Sequence, residues 1–192
     1  MAGKNLKKNI LFVAGLVIGA VALLILFHFG TTKYLAEKEK ERKLELITSV
    51  IDADFDENPI DNMTLINTAD GKEKLELYPI RKDGMITSVV VRVGNPRGYG
   101  GYLELLVGFH TDGTISKYKV ITHNETIGLG SKITQEPFAQ QFEYVNPEMM
   151  NFKVKKDGGD LDAITSATIS SRAVIDAIQK AFDAYQRFIA GE

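Results

Sequence analysis

A stretch rich in hydroxyl side chains lies between Asp162 and Ser171, and it is the part of the chain best suited to chemistry. Its hydroxyl residues are Thr165, Ser166, Thr168, Ser170 and Ser171. A loop that leads into a helix presents free backbone N–H groups and the positive end of the helix dipole, so it favours an anion. The stretch therefore predicts a phosphate-bearing ligand, although serine and threonine at such a position also commonly cap a helix.

A second polar loop combines histidine, glutamate and lysine with glycines. Its candidate residues are His123, Glu125, Thr126, Gly128, Leu129, Gly130 and Lys132. His123 and Glu125 could form an acid/base pair or supply two metal ligands, but a third ligand or a nucleophile at a suitable spacing is missing. The glycines do not complete a dinucleotide-binding fingerprint. We expect no metal, and we expect the loop to lie against a ligand.

The elements that position these loops are predicted to be the strands of an antiparallel sheet. Two β-hairpins are indicated by the turn dipeptides Asp83-Gly84 and Asp112-Gly113, because this dipeptide tolerates the positive φ angles of tight turns. The glycine-rich segment 98–101 connects the hairpins as a turn. The fold class is therefore α+β, an antiparallel sheet with packed helices.

Helical patterns frame the rest of this domain. A short helix is predicted from Glu136 to about Tyr144, and a further strand is predicted around Phe152 and Val154. Apolar residues recur at helical spacing between Val174 and Tyr185, which predicts an amphipathic helix that packs one face on the sheet.

The N-terminal region predicts a membrane anchor. Residues 10–29 form an uncharged run long enough to cross a bilayer, after a short N-terminal segment 1–9. A cleaved signal peptide is the alternative, but the run exceeds the usual length and a cleavage site does not follow it. Gly15 and Gly19 could let a partner helix approach closely. Lysine and arginine residues on both sides leave the orientation open.

A membrane-proximal helix and linker are predicted over residues 30–55, followed by a folded domain over residues 56–192. The charge run 37–43 suits a solvated helix face or contact with lipid headgroups. The acidic segment from Asp52 to Asp61 is predicted to be a solvated loop, because its spacing is not that of a calcium-binding loop.

Composition excludes several classes of function. The net charge is −2 and the folded part lacks a strongly basic block, so a nucleic-acid partner is not expected. The chain has no cysteine, which excludes disulfides, thiolate metal sites, iron–sulfur clusters and cysteine nucleophiles. This composition fits an oxidising compartment.

Three segments together give the chain a resemblance to a known family: the turn 98–102, the block 123–132 and the stretch 162–171. They resemble the FMN-binding domain family, in particular the G subunits of Rnf electron-transport complexes and, more distantly, the C subunits of sodium-pumping quinone reductases. In this family a threonine carries FMN through a phosphoester bond made by a dedicated flavin transferase. The resemblance implies covalent FMN on Thr168, with Asp162, Thr165 and Ala167 as the rest of the recognition motif.

One position departs from the family pattern: Ser166 stands where glycine is usual. Serine would be unfavourable there if the backbone requires a positive φ. The resemblance also implies that residues of the second loop line the flavin site, namely His123, Glu125, Thr126, Gly128, Leu129, Gly130 and Lys132.

The resemblance further implies a single-pass protein of the cytoplasmic (inner) membrane with its C-terminal domain on the extracytoplasmic side. Such a flavoprotein subunit would pass electrons within a complex that couples ferredoxin:NAD electron transfer to translocation of Na+ or H+. Its catalytic chemistry would be that of the flavin. Its partners would be other membrane and peripheral subunits, the transferase and membrane lipid. The alternatives are the equivalent quinone-reductase subunit and a non-redox sensor or binding ectodomain.

Overall fold

The computed structural model describes residues 2–191, with side chains for residues 12–28 and 34–191. Five antiparallel strands form one sheet, in which they follow one another in chain order. The strands are β1 (Thr64–Asn67), β2 (Lys74–Lys82), β3 (Met85–Gly98), β4 (Gly101–His110) and β5 (Ile115–Thr122). The helices are α1 (Ala2–Thr48), α2 (Glu136–Ala139) and α3 (Thr168–Ala190), with short 3₁₀ turns at Gly130–Thr134, Gln140–Phe142, Pro147–Met149 and Lys155–Asp157. The predicted α+β fold with an antiparallel sheet and packed helices is confirmed.

Both predicted hairpins are present, and backbone geometry explains their turns. Asp83 and Gly84 between β2 and β3 have φ angles of +52° and +73°, and Gly113 between β4 and β5 has a φ of +83°. Positive φ costs glycine little and aspartate less than most residues, so the Asp-Gly dipeptide sets the register of each hairpin. Gly98 and Gly101 pair with each other and flank the turn residues Tyr99 and Gly100 between β3 and β4.

The sheet is buried on both faces. Alternating residues of β3, including Val89, Val91 and Val93, pack with the apolar side of α3. The opposite face is covered by the end of α1 and the residues after it, where Ile47 and Val50 are fully buried. Burying one aliphatic side chain of this size stabilises the fold by about 1.5–3 kcal/mol. The amphipathic helix predicted between Val174 and Tyr185 is thus confirmed as part of α3.

Other local predictions need correction. The helix predicted to reach Tyr144 is shorter, because α2 ends at Ala139 and a 3₁₀ turn follows it. The strand predicted around Phe152 and Val154 is wrong: the segment makes a single bridge between Val154 and Leu161. Strand β1 pairs with β2 and was not predicted.

The chain divides into two compact units, Met1–Arg42 and Lys43–Glu192. The sheet, α2 and α3 lie in the second unit. Ile10, Leu11 and Phe29, which belong to the expected membrane span, lie outside the residues whose side chains are described.

In the part of the chain that the structure describes, no helix combines the length and apolar character needed to cross a membrane.

Candidate functional site

The hydroxyl-rich stretch forms a tight turn followed directly by α3. The Ala167 N–H donates to the Ile164 carbonyl at 2.9 Å and closes the turn. The Ser171 hydroxyl accepts a bond from the Ile164 N–H at 2.9 Å and donates to the Ala167 carbonyl at 3.0 Å. Ser166 has a φ of +64°, the left-handed conformation in which glycine is favoured.

Thr168 is the first residue of α3, so the helix starts earlier than the sequence suggested. The cap position belongs to Ala167, whose side chain makes no capping hydrogen bond. Among the described residues, no hydrogen bond to the Thr168 hydroxyl occurs, and its side chain is only partly buried. The N–H groups of the first turn are therefore not capped by the stretch's own hydroxyls, which suits them to an anion.

A cavity of about 420 Å³ opens beside Thr168. Its walls are Tyr99, Thr126, Leu129, Gly130, Ser166, Ala167, Thr168, Ile169 and Ser170. The structure thus brings together residues of the β3–β4 turn, the second polar loop and the start of α3. Tyr99, Ile169 and Ser170 were not predicted as site residues.

The rim of this cavity is apolar on several sides. Tyr99 is 69% exposed, Leu129 43% and Ile169 47%. Large exposed apolar side chains around a concave site indicate a binding surface. A ligand with a flat apolar ring and a phosphate group fits this combination, because the ring has apolar partners and the phosphate has the N-terminus of α3.

The rest of the hydroxyl-rich stretch faces a neighbouring groove of about 340 Å³. Asp162, Thr165 and Lys132 line this groove together with Gln135 and Gln141. The Asp162 backbone is held at both ends by Gln141, whose amide oxygen accepts from the Asp162 N–H at 2.7 Å and whose amide nitrogen donates to the Asp162 carbonyl at 3.1 Å. Lys155 pairs with the Asp162 carboxylate at 2.7 Å. These predicted residues therefore lie next to the cavity, on a separate surface.

The remaining residues of the second polar loop, including His123, Glu125 and Gly128, are not among the cavity walls. His123 accepts a bond from the Glu125 N–H at 3.1 Å through Nδ1, and Glu125 is buried. Gly128 has a φ of +77° and donates its N–H to the Ser131 hydroxyl at 2.9 Å. Within the described residues, no group of three or more His, Cys, Asp or Glu side chains could hold a metal ion.

Comparison with known proteins assigns these features to one class. Residues 98–183 match the model of the FMN-binding domain, a range that contains the cavity walls and the adjoining groove. The G subunit of the ion-translocating oxidoreductase complex of Vibrio cholerae is 32% identical over 190 residues, covering 93% of this chain and 89% of that protein. The Escherichia coli G subunit is 30% identical over 185 residues, covering 93% and 90%. The chain belongs to the family of G subunits of ion-translocating oxidoreductase complexes.

Solved structures share the fold. The C subunit of the Na+-translocating NADH-quinone reductase from Parabacteroides distasonis superposes with a TM-score of 0.58 at 18% identity, covering 84% of this chain and 98% of that chain. NqrC from Shewanella oneidensis gives a TM-score of 0.57 at 16% identity, covering 81% and 98%. At these identities the likeness extends to the fold alone.

Proposed function

We propose that this chain is a membrane-anchored flavoprotein subunit that carries FMN on Thr168 and passes electrons within an ion-translocating oxidoreductase complex. The observation that carries the proposal is the Thr168 hydroxyl, which lines the cavity at the start of α3 and has no hydrogen-bond partner in the described part of the chain. Membership of the G-subunit family supports the same role.

The residues of the cavity suit the two ends of FMN. The N–H groups of the first turn of α3 would hold the phosphate. Tyr99, Leu129 and Ile169 would contact the apolar ring, since all are exposed at the rim. FMN supplies the electron-transfer chemistry, and the protein supplies its position and electrostatic surroundings.

Attachment requires the Thr168 hydroxyl to lose its proton as its oxygen forms a bond to phosphorus. The leaving group must depart from the same phosphorus, so the donor is a flavin nucleotide whose phosphate is already activated as a diphosphate. A flavin transferase would carry out this exchange. The groove lined by Asp162, Thr165 and Lys132 is the surface we assign to the transferase, because it adjoins the acceptor without forming part of the cavity.

The anchor is proposed to be the uncharged run 10–29, in contact with membrane lipid, with residues 1–9 in the cytoplasm and the folded domain on the extracytoplasmic side of the cytoplasmic membrane. Large apolar side chains from Phe12 to Phe27 are exposed, which supports an apolar environment for this segment. The partners would be the other subunits of an Rnf-type complex that couples ferredoxin:NAD electron transfer to Na+ or H+ movement.

Intact-mass measurement of the full chain, produced with and without the transferase, tests the attachment. The wild type should gain the mass of one FMN less one water only when the transferase is present. Thr168→Val should remove the gain, because valine keeps the shape and lacks the hydroxyl. Thr111→Val, at an exposed threonine of the β4–β5 turn, is the matched control and should still gain it.

A flavin that remains on Thr168→Val would exclude this threonine as the acceptor. In-gel fluorescence after denaturation gives an independent reading, because only a covalently bound flavin survives it. A wild-type chain without such fluorescence would favour a non-redox ectodomain.

A further inference from the structure

Glu125 is a buried carboxylate without a cationic partner in the described residues. Its residue is 5% exposed. Oε2 accepts a hydrogen bond from the Ser170 hydroxyl at 2.6 Å, and Oε1 accepts a longer one from the Gly100 N–H at 3.4 Å. Burying a charged group without a counter-ion lowers the free energy of unfolding. A functional role is therefore expected for Glu125.

The surrounding glycines leave the space that this carboxylate fills. A Cβ added at Gly98 would stand 2.5 Å from Glu125 Oε1. A Cβ at Gly130 would stand 2.6 Å from Oε2 and 2.7 Å from the Ser170 hydroxyl oxygen. Side chains at these positions would push the carboxylate away. The lack of a side chain at Gly98 and at Gly130 therefore leaves the room that the Glu125 carboxylate occupies.

The carboxylate lies directly behind the cavity wall. Ser170 and Gly130 contact it and also line the cavity. Tyr99, which lines the same cavity, lies in the turn that the Gly100 N–H ties to Glu125. One side chain thus joins the β3–β4 turn, the second polar loop and the first turn of α3.

We propose that Glu125 is a positioning residue that also lowers the reduction potential of the flavin. Its hydrogen bonds hold the Tyr99 turn and the start of α3 together. Its negative charge, shielded from water, opposes the addition of electrons to a ring in the cavity, since like charges repel more strongly in a medium of low dielectric constant. This inference rests on the proposed attachment of FMN to Thr168.

Glu125→Gln separates charge from shape, because the amide has nearly the same size and its oxygen can still accept the Ser170 bond. The midpoint potential of the flavinylated full-length chain would be measured by spectroelectrochemical titration. We expect E125Q to shift it to a more positive value than the wild type. Glu136→Gln, which removes an exposed carboxylate from α2, is the matched control and should leave it unchanged.

A potential of E125Q equal to that of the wild type overturns this inference while the proposed function stands. A wild type that accepts no flavin overturns the proposed function and this inference with it. If E125Q does not fold or accept flavin, Ser170→Ala provides the second measurement, because it keeps the charge of Glu125 and removes a hydrogen bond that partly neutralises it. A more negative potential in S170A supports the inference, and an unchanged or more positive one overturns it.

Discussion

Ser166 has a backbone conformation that is unfavourable for a residue with a side chain. It lies in the turn closed between Ala167 and Ile164 and has a φ of +64°. An L-residue in this conformation is less stable than glycine by about 1–2 kcal/mol, since its Cβ approaches the neighbouring carbonyl. Its side chain is exposed, so packing in the domain does not compensate for the strain.

Replacing Ser166 with glycine should raise the free energy of unfolding by about 0.5–1 kcal/mol, because relief of strain exceeds the extra entropy of the unfolded chain. Thr165→Gly is the matched control. Thr165 is exposed and is not among the residues with positive φ, so this change should lower the same free energy. Urea unfolding measures both. Shifts of the same sign in the two variants would contradict backbone strain at Ser166.

Among single residues, the sequence predicted the hydroxyl-rich stretch beside the cavity but not the whole cavity. The resemblance to the FMN-binding family pointed to Thr168, and the positive φ that would make Ser166 unfavourable is present. The place of Tyr99 on the cavity and the burial of Glu125 could not be predicted, because both depend on how the β3–β4 turn packs on a loop more than twenty residues away. Short-range patterns of residue types do not encode that contact.

Strands and helices with strong local signals were predictable, and those without them were not. Asp-Gly turns and the apolar repeat of α3 arise from neighbouring residues. Strand β1 has one buried residue, Ile66, so it lacks a clear alternation. Phe152 and Val154 are apolar and buried, yet hydrogen bonds from Asn151 close the segment into a loop, where the Asn151 amide donates to the Gly158 carbonyl at 2.8 Å.

The loop after α1 is tied to β5 by a pH-sensitive contact. Lys117 pairs with Asp52 at 2.9 Å, and the Tyr144 hydroxyl donates to the same carboxylate at 3.0 Å. These hydrogen bonds, first from Lys117 and then from Tyr144, lower the pKa of Asp52 below its ordinary value. The folded state therefore gains stability that is complete above the unfolded pKa of about 3.9 and is lost as the pH falls through the lower folded value.

Asp52→Asn should reduce the free energy of unfolding by up to about 1 kcal/mol at neutral pH, the size expected for an exposed ion pair. The difference from the wild type should shrink as the pH falls below about 4. Urea unfolding between pH 3 and pH 7 measures it. Asp54→Asn is the control in the same loop, where the side chain is 87% exposed, and it should show a smaller difference. A difference for D52N that does not change with pH would contradict the assignment.

For the whole molecule, the proposed anchor can be tested without reference to the flavin. Leu16 and Leu23 lie in the run 10–29 and are 63% and 70% exposed. Each arginine placed in the middle of a membrane-spanning helix costs about 2.5–3.5 kcal/mol on insertion scales. The double variant Leu16→Arg, Leu23→Arg should therefore move the chain from the membrane fraction to the carbonate-soluble fraction.

The double variant Tyr34→Arg, Leu35→Arg is the matched control. Both side chains are 62% exposed and lie beyond the proposed span. This variant should stay in the membrane fraction. Equal membrane retention of the two double variants would contradict an anchor at residues 10–29, and the domain boundaries predicted from the sequence would need revision.

The position of Thr168 at the start of the last described helix has a consequence for biogenesis. In a chain that emerges N-terminus first, the sheet is complete before α3 is available to cover Leu77, Val91 and Leu105. The contact between Glu125 and Ser170 forms only when α3 docks. On the proposal that Thr168 carries FMN, attachment that requires the docked α3 would mark chains that have finished folding, and the flavinylated fraction of a preparation would then report its folding yield.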